Sequence, residues 1–151
     1  MALDISRNTT AKALRIEDMI EVVSGRLYIA REDVIGAADF KTATVVVNLS
    51  SKKAKVPEVD VDVYLRWDVG DDVEEKMFET LVRMVAGIMR APKQLVVLVG
   101  HHDTCDIAAA CILREYLGCK ARIAVSILRE ARPKCLDKPD LLDTVENYRI
   151  S

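Results

Sequence analysis

Apolar positions along this chain fall into two kinds of run. Ala43 to Leu49 (ATVVVNL) and Leu95 to Val99 (LVVLV) are almost unbroken, the pattern of strands buried on both faces. Val59 to Leu65 (VDVDVYL) alternates residue by residue, and Arg26 to Ala30 alternates around an aromatic after a Ser24-Gly25 turn. Both predict strands. Elsewhere the spacing changes to three and four. Val73, Met77, Leu81, Met84, Val85 and Ile88 predict a helix, with Asp71 and Asp72 well placed at its N-terminus and Pro92 closing it. Ile107 to Leu117 (IAAACILREYL) predicts a helix that is apolar on nearly every side and therefore central, ended by Gly118. Further helices are predicted over Glu32 to Phe40, Ala121 to Ala131 (stopped by Pro133) and Lys138 to Tyr148, with Ser50 to Lys55 a polar, basic loop.

Strands alternating with helices predict an α/β fold with a central, mostly parallel sheet flanked by helices. Ligands of such sheets bind beyond the carboxyl ends of the strands. The stretch between Val99 and Ile107, expected to be a short polar loop, is therefore where a site is sought. No repeat, low-complexity segment or linker interrupts the chain. Its 151 residues predict a single domain over 1–151, with 1–15 a loosely held lead-in.

Composition narrows the function classes. Hydrophobic residues make up 50% and charged residues 30%, the balance of a soluble globular protein. A net charge of −2 gives no basic footprint for nucleic acid. No run approaches a membrane span, and the N-terminus (Met1-Ala2-Leu3-Asp4) lacks a basic segment followed by an apolar one. A cytoplasmic protein is expected. Cys105, Cys111, Cys119 and Cys135 lack CxxC spacing and read as reduced, mostly buried thiols. Gln94 is the single glutamine while Lys, Arg and Glu abound, a bias shared with thermophile proteins.

The order of the pieces resembles the dual-specificity phosphatases of the protein tyrosine phosphatase superfamily. Glu21 to Ala30 is similar to the strand that opens those domains, and Val45-Val46-Val47-Asn48-Leu49-Ser50 to their "thVvNLs" strand. Val63 to Trp67 followed by Asp71-Asp72 resembles the segment carrying their general acid, which the resemblance places at Asp71, with Asp72 one residue away. Val97-Leu98-Val99 resembles the strand feeding the phosphate loop. Leu128 to Pro133, then Leu141, Leu142, Val145 and Tyr148, resemble the closing helices. Together these cover about residues 17 to 148.

The resemblance fails at the phosphate loop, His-Cys-x5-Arg. Counting from Val99 puts Gly100 at the histidine, His101 at the nucleophilic cysteine and Ile107 at the arginine. A thiolate must attack phosphorus and a planar guanidinium must grip its oxygens; Ile107 can do neither. Asp103 and Asp106 are expected to repel a phosphate dianion, and no glycine lies between His101 and Ile107 to let backbone wrap one. Cys105 falls four residues late for the nucleophile, with Cys111 rather than arginine six residues after it.

Three functions remain open at this point. The first is a catalytically inactive phosphatase-like domain, a pseudophosphatase acting as a binding or regulatory module for another protein. Its recognition surface would be the rim formed by His102, Asp103, Thr104, Cys105, Asp106 and Ile107, with Trp67 and the Asp71 loop. The second is a phosphoester hydrolase using His101. The His101-His102-Asp103 stretch also resembles the metal-dependent DHH phosphoesterase motif, but that family's further aspartate and histidine motifs are missing. The third is a structural or assembly component. No cofactor or metal enters the first reading. Lys52, Lys53 and Lys55 are read as a solvated loop face or a docking patch for an acidic partner, and the oligomeric state stays open.

Overall fold

The computed structural model describes residues 19–31, 45–49, 63–66 and 75–150. Five strands are formed by Ile20–Val23 (β1), Leu27–Arg31 (β2), Val45–Asn48 (β3), Val63–Arg66 (β4) and Val96–Gly100 (β5). The helices are Glu75–Arg90 (α1), His102–Leu117 (α2), Ala121–Ala131 (α3) and Pro139–Asn147 (α4). In space the strands run β1-β2-β5-β3-β4. β2, β5, β3 and β4 pair in parallel, and β1 folds back antiparallel on β2. This is the expected mostly parallel sheet with one short antiparallel edge added.

Burial explains the order. β5 lies between β2 and β3, and all five of its residues are buried, as are all four of β3. The unbroken valine runs thus sit where both faces are covered. Val63 and Tyr64 of the alternating β4 are exposed at the other edge.

α2 crosses the middle of the molecule. It packs on α1, α3, α4, β5 and β2, and its buried residues run from Cys105 to Glu115. Small residues make this possible: Ala108, Ala109 and Ala110 let the neighbouring elements approach closely. Gly118 ends the helix in the left-handed region at φ 63°, where a Cβ is disfavoured. All four cysteines are free, three of them buried, as expected.

The predicted start of α2 needs correction. The polar stretch after β5 was expected to be a loop running to Ile107, yet the helix begins at His102. His101 caps it: its Nδ1 accepts from the Asp103 backbone N–H at 3.3 Å, and its carbonyl accepts from the Cys105 N–H at 3.0 Å. Asp103 lies in the first turn, favoured by the helix dipole. No glycine or proline occurs from His101 to Leu117 to interrupt the ladder. The polar residues form the helix N-terminus itself. The expected helix over 32–40, the loop over 50–55, Trp67 and Asp71-Asp72 lie outside the described residues.

Candidate functional site

A single residue, His101, separates the end of β5 from α2. The chain leaves the strand through Gly100 at φ 156°, and a Cβ there would stand 3.1 Å from the Leu49 carbonyl carbon and 3.3 Å from its Cβ and oxygen. Leu49 also donates its N–H to the Val99 carbonyl at 2.7 Å. The position therefore requires glycine, for contact with the end of β3 as much as for backbone freedom. Beside it, buried Asn48 donates to the Tyr64 hydroxyl at 3.1 Å, tying β3 to β4 at the same sheet end.

His101, which the sequence resemblance set against the phosphatases' nucleophile, is exposed, and His102 is half-buried. Their rings lie 6.0 Å apart and tilted by 58°, so the two imidazoles do not converge on one point. Capping occupies His101 Nδ1 as an acceptor, which places the proton of the neutral ring on Nε2. Ile107, which the sequence resemblance set against the phosphatases' arginine, is part of α2 and packs against the core. Thr104 is half-buried in the first turn, and the Cys105 thiol is fully buried. Asp71 lies outside the described residues. Among those residues, no three His, Cys, Asp or Glu side chains converge to hold a metal ion.

The two aspartates are compensated from a part of the chain 26 to 35 residues away. Asp106 is 1% exposed and accepts two bonds from Arg132: Nε to Oδ1 at 3.1 Å and Nη2 to Oδ2 at 2.8 Å. Arg132 Nη1 lies 3.4 Å from His102 Nδ1. Lys138 Nζ reaches Asp103 Oδ2 at 3.3 Å, the lysine exposed and the aspartate half-buried. Burial pushes the Asp106 carboxyl above the usual carboxylate range, and the Arg132 fork pulls it part of the way back. Asp103 and Asp106, expected to repel a phosphate dianion, thus belong to a locally balanced cluster of two carboxylates and two cations.

Arg132 and Lys138 were not among the expected site residues. Arg132-Pro133 stood out in the sequence only as a helix stop within the family-like closing segment. A buried Asp106 needs a cation, but nothing in the one-dimensional pattern says which of 22 Lys and Arg residues supplies it.

A separate groove of about 440 Å³ runs between α3 and α4, floored by Val125 and Leu142 and rimmed by Arg122, Glu130 and Glu146. None of residues 100–107 lines it.

No family model and no curated protein matches this sequence. Solved structures do. Human DUSP28 is 18% identical, with a TM-score of 0.69 over 85% of this chain and 93% of its own. The human tyrosine phosphatase-like serine/threonine/tyrosine-interacting protein is 15% identical, with a TM-score of 0.67 over 86% of this chain and 94% of its own. Tk-PTP in its active form gives 14% identity and a TM-score of 0.63, covering 85% and 93%. The fold is that of the dual-specificity and tyrosine phosphatases, as the ordered sequence pieces led one to expect.

Proposed function

We propose that this chain is a catalytically inactive phosphatase-like domain, a binding or regulatory module whose recognition surface is the face at the N-terminus of α2. The observation that carries the reading is the helical start at His102. A phosphate loop works by turning successive backbone N–H groups toward one anion. Here the Cys105 N–H bonds to the His101 carbonyl and the Asp103 N–H to the His101 ring, so both are turned into the helix. The position of the attacking thiolate holds a capping imidazole, and the position of the gripping guanidinium holds an apolar residue packed on the core. The fold fits the reading too, because a structural neighbour is itself named a phosphatase-like interacting protein. The natural occupant of such a surface is another protein, met by the histidine and ion-pair face in the cytoplasm.

The competing reading, a hydrolase using His101, draws on the exposure of that imidazole at the nucleophile position. Turnover of an aryl phosphate separates the two. The proposed module shows none above a His101→Ala control, with or without a chelator. Turnover lost on His101→Ala overturns the proposal, and loss on chelation as well assigns the activity to a bound metal.

A further inference from the structure

Asp106 and Arg132 meet through two parallel bonds across a planar fork, at 3.1 and 2.8 Å. A guanidinium offers that same fork to a carboxylate or to two oxygens of a phosphoryl or sulfuryl group. The two sides of the pair differ in access. The Asp106 side chain is 1% exposed, whereas Arg132 keeps 24% of its surface open. Solvent therefore reaches the guanidinium while the carboxylate fills its inner edge. Around it stand His102, 3.4 Å from Nη1, and Lys138, tied to Asp103 of the same helical turn. Exposed His101 is adjacent. Groups that carry or can accept positive charge thus gather at this face, and the anions they meet belong to the chain itself.

The geometry points to an oxyanion receptor held closed from within: Asp106 occupies the Arg132 fork as an internal anion, and a phosphoryl or sulfuryl oxyanion binds there only when that carboxylate is displaced. This inference rests on the reading of the α2 face as the recognition surface, and it adds the ligand's chemical class and the contact that controls its entry. Burial disfavours the charged form of Asp106, so the internal anion is held less firmly than its bond lengths alone suggest. The lost arginine at position 107 has no role here. The receptor is a different guanidinium, brought in from the segment after α3.

The test titrates the full chain with inorganic sulfate and with inorganic phosphate at constant ionic strength, reading the Arg132 Nε–H resonance and the melting temperature. The wild type shows no saturable shift in the millimolar range. Asp106→Ala opens the fork and binds both anions saturably, at least about tenfold more tightly than wild type. Adding Arg132→Lys, which keeps the charge without the fork, removes most of that gain. Asp106→Asn keeps the side-chain shape and shows a smaller gain of the same kind, so it decides the matter if the alanine variant does not fold. The inference is overturned if the wild type already binds as tightly as the variants, or if a folded variant gives no saturable shift at Arg132. It also fails if neither variant folds, since the carboxylate is then a structural strut. Aryl phosphate turnover bears on the preceding reading alone and does not alter this result.

Discussion

Asp106 and Arg132 illustrate how an ion pair can be unequal. Removing Arg132 leaves a carboxylate at 1% exposure without its fork, whereas removing the charge of Asp106 leaves a guanidinium that is a quarter exposed. Arg132→Ala is therefore expected to destabilise the protein by about 3 kcal/mol at neutral pH, and Asp106→Asn by less. The pH dependence has a defined sign. The folded carboxyl titrates above its unfolded value, so the folded state holds more protons across the interval between the two. The associated stability is fully present below the unfolded value near ~3.9 and is lost as pH rises through the folded one. Without Arg132 that interval widens upward. Urea midpoints measured between about pH 4 and about pH 7 should converge between Arg132→Ala and wild type as pH falls. A gap that stays constant would show that Asp106 is not the group responsible.

At the scale of elements, what the sequence made legible depended on whether the signal was local. β3 and β5 were readable because valine runs report burial directly, and α3 and α4 matched to within a residue, with Pro133 marking the stop after α3. β1 was not predicted as a strand distinct from β2. It has four residues, only Val22 is buried, and its existence depends on pairing with β2. The start of α2 was misplaced for a related reason. The residues from His102 to Asp106 carry no apolar periodicity, and the burial of Cys105 and Asp106 follows from contacts distant in sequence.

The other end of α2 shows the same dependence on long-range partners. Arg114 Nη1 donates to the carbonyls of Val145 at 2.8 Å and Tyr148 at 2.6 Å, closing α4 against the central helix. The Tyr148 hydroxyl donates to buried Glu115 at 2.9 Å. Burial first, and then this bond to a carboxylate, pushes the Tyr148 phenol well above its usual range. Its share of stability is complete below the unfolded phenol value of about 10 and is lost as pH rises from there toward the folded value. Tyr148→Phe should cost about 1–2 kcal/mol at neutral pH, because Glu115 loses a donor. It should also remove a late-ionising phenolate from the alkaline absorbance titration. A titration unchanged by the substitution would contradict the assignment.

Across the whole molecule, the sheet, the central helix and the closing helices form a phosphatase-like fold, and the segment after β5 enters α2 through a single residue. The sequence signalled the fold through several ordered pieces, and His101 and Ile107 carry the proposal that the chemistry is absent. It could not show that residues 102–106 are helical, since counting along a motif assumes that its backbone keeps its path. The cationic partners of the two aspartates were missed for the same reason. Charges were counted along the loop, and their partners, Arg132 and Lys138, arrive from the other side of α3.

The central claim, that residues 102–106 are helix rather than an anion-wrapping loop, is open to one direct measurement. Cα secondary chemical shifts across His102 to Ile107 can be recorded with and without inorganic phosphate. The structure predicts helical shifts continuous with those of Ala108 to Leu113, unchanged when phosphate is added. Loop-like shifts that reorganise and saturate with phosphate would contradict it.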